Sequence, residues 1–178
     1  NAAAAVSGLR QLGVSRISLL TGDRRSVGEK IAAGLGVDDI HAELLPQQKV
    51  MDLARILQNS PEYGRTAFVG DGVNDAPALA RADIGIAMGA AGAAAAIEAA
   101  DVILMTDNPE SLLTAVRISR RTQRIIWQNI ILALGVKALV MLLGVFGLAN
   151  MWEAVFADVG VTLLAVGNSL RALNTRGL

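Results

Sequence analysis

Three short polar runs in this sequence carry groups suited to phosphate chemistry. The first is Thr21-Gly22-Asp23, the second is Lys49 just after Pro46, and the third is GDGVNDAP at 70–77. Asp71 and Asp75 offer hard carboxylate oxygens a short turn apart. Mg²⁺ prefers such donors, taking one or two from protein and the rest from water and phosphate. Gly70 and Gly72 allow a tight turn and close approach of backbone to a ligand. Thr21 offers a hydroxyl and loop amides to phosphate oxygens, and Lys49 a compact positive charge for developing negative charge. Asn74 can hydrogen-bond a carboxylate or a phosphate. Taken singly, each has a bland reading: Asp-Gly is a turn signal, and one Lys on a helix is a solvated charge. The run GDGVNDAP is far more specific, and all three follow successive strands in compatible order.

The elements that must position these groups follow from periodicity. Strands are predicted at 16–20, 40–45, 66–69, 84–88 and 102–105. Between them the spacing predicts helices at 26–35, 46–58, 74–81 and 92–99, after an opening helix over 2–12. Pro46 suits a first helical turn, where its missing N–H costs nothing. Asn108 and Pro109 cap and begin a further helix. Strands alternating with helices imply an α/β domain with a parallel sheet covered on both faces. Ligands in such sheets bind beyond the carboxyl ends of the strands, which gathers the three polar runs along one edge.

The whole-chain averages conceal two solvents. The 178 residues hold 16 Lys plus Arg, 16 Asp plus Glu, one His and no Cys, with 53% apolar residues. Zero net charge argues against a general nucleic-acid binder, and the missing Cys excludes a thiolate site within this chain. From 125 to 149 the only polar side chains are Gln128, Asn129 and Lys137, and a second apolar run covers 151–170. As helices these measure roughly 37 and 30 Å, against the about 20 residues a bilayer needs. The short link at 147–150 makes them an antiparallel transmembrane hairpin. Arg117, Arg120, Arg121 and Arg124 precede it, Arg171 and Arg176 follow it, and the link has no Lys or Arg. By the positive-inside rule both ends and the soluble part are cytoplasmic, in a multi-pass cell membrane protein. Trp127 and Trp152 fall near opposite interfaces as belt residues. The organisation expected is thus a soluble part at 1–110, a basic connector helix at 111–124, spans at 125–149 and 151–170, and a cytoplasmic tail at 171–178.

Ionisable groups in a membrane are functional candidates. Lys137 lies mid-span, Asp158 in the second span, and Glu153 near the link, where it reads as solvated. Counted as helix from Asn150, Lys137 and Asp158 differ in height by roughly 7 Å, which a Lys stem largely covers. Asp158, Thr162, Ala165 and Ser169 share one face, and Gly160 and Gly167 allow close helix approach. The bland reading is that Lys137 and Asp158 only lock two helices together. His41, beside a strand, reads as structural.

The order TGD, a Pro-x-x-Lys helix start and GDGVNDAPAL, followed by two membrane helices, resembles P-type ATPases over essentially the whole chain. The resemblance implies that 1–110 is the C-terminal part of a phosphorylation domain with the haloacid dehalogenase-like fold. It implies Mg²⁺ at Asp71 and Asp75, and an aspartyl phosphate held by Thr21 and Lys49 with Gly22 and Asp23 in the same loop. Asn74 supports the same site. Asn129 and Lys137 in the first span, with Asp158-Val159-Gly160 in the second, resemble the heavy-metal subgroup exporting zinc, cadmium and lead. That resemblance makes Asp158 a ligand of the transported ion and Lys137 its built-in counter-charge. It implies ATP as substrate, and the lipid bilayer, a divalent metal ion and the N-terminal part of the same pump as partners. The family's Asp-Lys-Thr-Gly-Thr nucleophile motif does not occur here, so this segment alone is not expected to form a phosphoenzyme. A Cys-Pro-Cys helix is expected upstream of residue 1. A pump for another cation, a membrane-anchored phosphate-binding module, and a phosphatase fused to an anchor stay open as rivals.

Overall fold

Runs of three to five apolar residues, punctuated by Gly, Asp and Pro, form the strands, and amphipathic stretches between them form the helices. The computed structural model describes residues 1–70, 73–89 and 94–173. They fall into two units, Asn1–Leu113 and Thr114–Leu178. The first runs α1 (Ala2–Gln11), β1 (Ser18–Leu20), α2 (Arg25–Leu35), β2 (Asp39–His41), α3 (Pro46–Gln58) and β3 (Ala67–Gly70). A 3-10 turn at Val73–Asp75 leads to α4 (Ala76–Leu79), β4 (Ile84–Met88), α5 (Ala94–Ala99) and β5 (Val102–Leu104).

Every strand pair is parallel. β1 pairs with β2, Leu19 opposite Ile40. β4 lies between β3 and β5, with Ile86 opposite both Val69 and Val102. The expected sheet is therefore present as two, one of two strands and one of three. Among the described residues β1 and β3 each pair on one side only, so no strand of this chain joins them. The core gathers Leu53 from α3, Phe68 from β3, Ala78 and Leu79 from α4, Ala87 from β4 and Ala96 from α5. Three of those six are Ala, and small residues let short helices sit close on the sheet.

α6 (Ser111–Val145) is one continuous helix that begins in the first unit and runs on through the second, and α7 (Met151–Ser169) follows it. No break separates 111–124 from the apolar stretch. α6 ends at Val145 rather than at 149, because Gly147 takes a left-handed φ of 71°. Its N–H then donates to Gly144 O at 3.0 Å and that of Leu148 to Leu143 O at 2.9 Å. This is the Schellman ending, which satisfies carbonyls a helix terminus would otherwise orphan. α7 begins as neatly. Asn150 Oδ1 accepts from the N–H groups of Trp152 and Glu153, and Glu153 Oε2 accepts from Asn150 N at 2.8 Å. Glu153 is thus the third-position partner of a capping box, not merely a solvated side chain. The helices are long and apolar enough to cross a membrane, with mean hydropathies of 1.9 and 1.3 in their most apolar windows, and almost nothing there is buried within the chain.

Candidate functional site

In the first unit the loop after β1 is built on its own hydrogen bonds. Thr21 Oγ1 donates to Asp23 Oδ2 and accepts from Asp23 N, both at 3.1 Å. The loop is tied to the segment before α3: Glu43 N donates to Asp23 O at 2.9 Å, and Leu44 N to Thr21 O at 3.1 Å. Glu43 itself is left-handed, with φ 60°, a conformation that non-Gly residues hold only when surroundings impose it. Asp23 is therefore a positioner of Thr21 before it is anything else.

α3 starts at Pro46, and Gln48 Oε1 accepts from Leu45 N at 2.8 Å. One residue on, Lys49 Nζ donates to Asp75 Oδ1 at 2.9 Å. The two side chains are only 20% and 11% exposed. Asp75 Oδ2 lies against Gly70 at the end of β3. A Cβ at Gly70 would come within 2.7 Å of Asp75 Cβ and 3.0 Å of Oδ2, so no side chain fits there. The structure thus brings together Lys49 and Asp75, two of the residues read from sequence. Asn74 is exposed on the same 3-10 turn, and Asp71 and Gly72 lie outside the described residues. A buried carboxylate with hard oxygens at a strand end suits Mg²⁺. Mg²⁺ takes few protein ligands and fills the rest of its shell with water and phosphate.

Nearby charges have structural partners. His41 Nδ1 lies 3.0 Å from Asp52 Oδ2, and Arg55 donates to Asp52 Oδ1 at 2.9 Å, so His41 has a partner in the fold. Hydrogen bonds from Arg10 and from Ile17 N hold the Asp38 carboxyl below its ordinary range. A hydrogen bond from Arg16 does the same for Asp39.

In the second unit Lys137 Nζ stands 4.0 Å from Asp158 Oδ1, with the side chains 67% and 75% exposed. Both line a cleft of about 140 Å³ with Ala133, Val140, Ala154 and Val161. The roughly 7 Å height mismatch expected from Asn150 arises from counting link residues as helix. Counted from the observed helix ends, Lys137 is eight residues before Val145 and Asp158 seven after Met151. Their levels then differ by only about 1.5 Å. Thr162 Oγ1 donates to Asp158 O at 2.8 Å, and Ser169 Oγ to Ala165 O at 2.8 Å. Among the described residues nothing lies within 4 Å of a Cβ built at Gly160 or Gly167, so α6 does not pack on them. Sequence reasoning also missed Asn168, whose Nδ2 donates to Asn129 Oδ1 at 2.8 Å.

Residues 1–83 match the family of haloacid dehalogenase-like hydrolases. Over 176 residues the chain is 52% identical to the cadmium, zinc and cobalt-transporting ATPase of Bacillus subtilis (strain 168), covering 99% of this chain and 25% of that protein. It is 52% identical over 171 residues to the zinc-transporting ATPase of Synechocystis sp., covering 96% of this chain and 24% of that one. The crystal structure of a zinc-transporting PIB-type ATPase in its E2.Pi state superposes with a TM-score of 0.87 at 41% identity. It covers 97% of this chain and 27% of that one. The chain belongs to the heavy-metal P-type ATPases. It spans about a quarter of the length of these relatives, and its first unit has the haloacid dehalogenase-like fold.

Proposed function

We propose that the whole protein is an ATP-driven exporter of zinc-like divalent ions, and that this segment supplies phosphate-handling loops and one pair of transport helices. The observation that carries the reading is one chain holding two such sites. Lys49 is bound to Asp75 at a strand end, and Lys137 stands beside Asp158 in an apolar helical hairpin.

In the soluble unit, Asp71 and Asp75 would hold Mg²⁺. Bound there, the ion would neutralise charge on the phosphoryl group in transfer from ATP. Thr21 and the Gly22 amide would receive phosphate oxygens, with Asp23 fixing the hydroxyl. Lys49, oriented by Asp75, would face the same charge, and Asn74 would support it. The attacking carboxylate belongs to a motif this sequence does not contain. A strand carrying it would fit between the unpaired edges of β1 and β3 and would join the two sheets. It would then emerge between the Thr21 and Asp75 loops.

In the hairpin, the Asp158 carboxylate would bind the transported ion, since carboxylate oxygen is a zinc donor. The Lys137 ammonium would take its place when the ion leaves, so the carboxylate is never left unpaired. Zn²⁺, Cd²⁺ and Pb²⁺ are the substrates proposed. The flanking Arg residues support cytoplasmic placement of both hairpin ends in a cell membrane.

The test uses the full-length protein. Its ATP hydrolysis should rise with Zn²⁺ or Cd²⁺, and no response to any divalent heavy metal would sink the exporter reading. Asp71→Asn should reduce phosphoenzyme from ATP to background, whereas normal phosphoenzyme levels would remove Asp71 from the Mg²⁺ site.

A further inference from the structure

At the end of the hairpin away from the link, one amide joins the two helices at three points. Asn129 Nδ2 donates to Ala165 O at 3.2 Å and to Ser169 Oγ at 2.9 Å. Its Oδ1 accepts from Asn168 Nδ2 at 2.8 Å. Asn168 Nδ2 also reaches Gln128 Oε1 at 3.3 Å, and its Oδ1 accepts from Arg171 at 2.9 Å. Both donors and the acceptor of Asn129 are therefore engaged by one face of α7.

This contact is specific to one register. Sliding α7 by one turn would set Val161, Leu164 and Ala165, or Ser169, Ala172 and Leu173, against Asn129. Neither set offers an amide, and in an apolar layer an unpaired amide is costly. The ion pair defines the register less sharply, because its members stand 4.0 Å apart and make no hydrogen bond. Lys137 lies eight residues from Asn129 along α6, and Asp158 ten from Asn168 along α7. That places both about 12 to 15 Å from the amide contact, with the capped link at the other end of the helices.

We propose that Asn129 and Asn168 form a positioning clamp that fixes the register of α6 against α7 and so holds Lys137 level with Asp158. The clamp presupposes the exporter reading only for its effect on transport; its geometric claim stands alone.

The test is made in the full-length protein. Cysteines replacing Ala133 and Val161, which line the cleft one turn to the clamp side of the ion pair, are oxidised and the linked peptides quantified by mass spectrometry. Asn129→Leu, Asn168→Leu and the milder Asn129→Ser should each cut the cross-link several-fold, and the double Leu variant should cut it no further. Unchanged yield in the single variants, or additive losses in the double, overturns the clamp. Without the added cysteines, the half-activating Zn²⁺ concentration should rise about tenfold, on the scale of losing a metal site's outer support, while the maximal rate changes less. A fall in maximal rate alone, with half-activation unmoved, also overturns it. If the unmutated protein shows no metal-stimulated hydrolysis, the exporter reading fails and the cross-link still decides the clamp.

Discussion

Lys49 and Asp75 stand 2.9 Å apart and are mostly buried, whereas Lys137 and Asp158 stand 4.0 Å apart and are mostly exposed. The residue types are identical, so the difference comes from what surrounds them. Around the first pair, α3, β3 and the turn before α4 close in, and the missing Gly70 side chain makes room for the Asp75 carboxylate. The second lines a cleft between two helices with Ala133, Val140, Ala154 and Val161. The first pair is a fixed arrangement of charge, ready before a reactant arrives. The second stands at 4.0 Å, near but not in contact, which on the exporter reading leaves room for a cation between its members. A lysine beside an aspartate is therefore not one device, since the same two residue types make a hydrogen bond in one unit and only approach each other in the other.

That contrast can be broken at either end. The largest effect is expected at the tight pair. Lys49→Ala strands a buried carboxylate and should destabilise the soluble unit by about 3–5 kcal/mol, read from denaturant unfolding. A loss under about 1 kcal/mol would mean the pair is solvated after all. Next comes Asp158→Ala, expected to lower metal-stimulated ATP hydrolysis about 100-fold in the full-length protein, since even outer partners of a metal ligand cost about 10- to 100-fold. Stimulation by Zn²⁺ at the original level would take Asp158 out of the transport site. Lys137→Ala should slow turnover while metal still binds, and transport at the original rate would reduce Lys137 to a packing residue.

The smallest effect sharpens the contrast from a third kind of pair, partly exposed and made by Arg with Asp. Asp38 and Asp39 have carboxyls held below their ordinary range by hydrogen bonds from Arg10 and Arg16. Their contribution is present above the unfolded carboxylate pKa and is lost as pH falls through the lowered folded value. Asp39→Asn should therefore flatten the decline in melting temperature on acidification below about pH 4. An unchanged slope would show that Arg16 contributes nothing there.

Much of this was legible in the sequence because it is local. β4 was expected at 84–88 and is observed at Ile84–Met88, and α3 was expected at 46–58 and is observed at Pro46–Gln58. Pro46 and a short apolar run carry those signals within a few residues. Of the polar runs, Lys49 and Asp75 meet in the structure, and their roles were read through the family resemblance rather than from spacing. What the sequence concealed was of two kinds. The split of the sheet depends on the pairing partner of β1 and β3, which local pattern does not specify. The bond from Asn168 to Asn129 joins helices 39 residues apart in sequence, beyond any periodicity. Glu153 is a different matter: Asn150-x-x-Glu153 is a readable helix-start signature, overlooked because a charge near an interface is so easily assigned to water.

The link between α6 and α7 has a consequence for how this protein is made. Its turn uses the Gly147 and Leu148 N–H groups on α6 and the Asn150 and Glu153 side chains on α7, so each helix end satisfies its own backbone. An apolar layer admits polypeptide only when its backbone polar groups are paired internally. A hairpin whose tip is already paired can enter tip-first as one piece, even though it is made after the soluble unit that precedes it in the sequence.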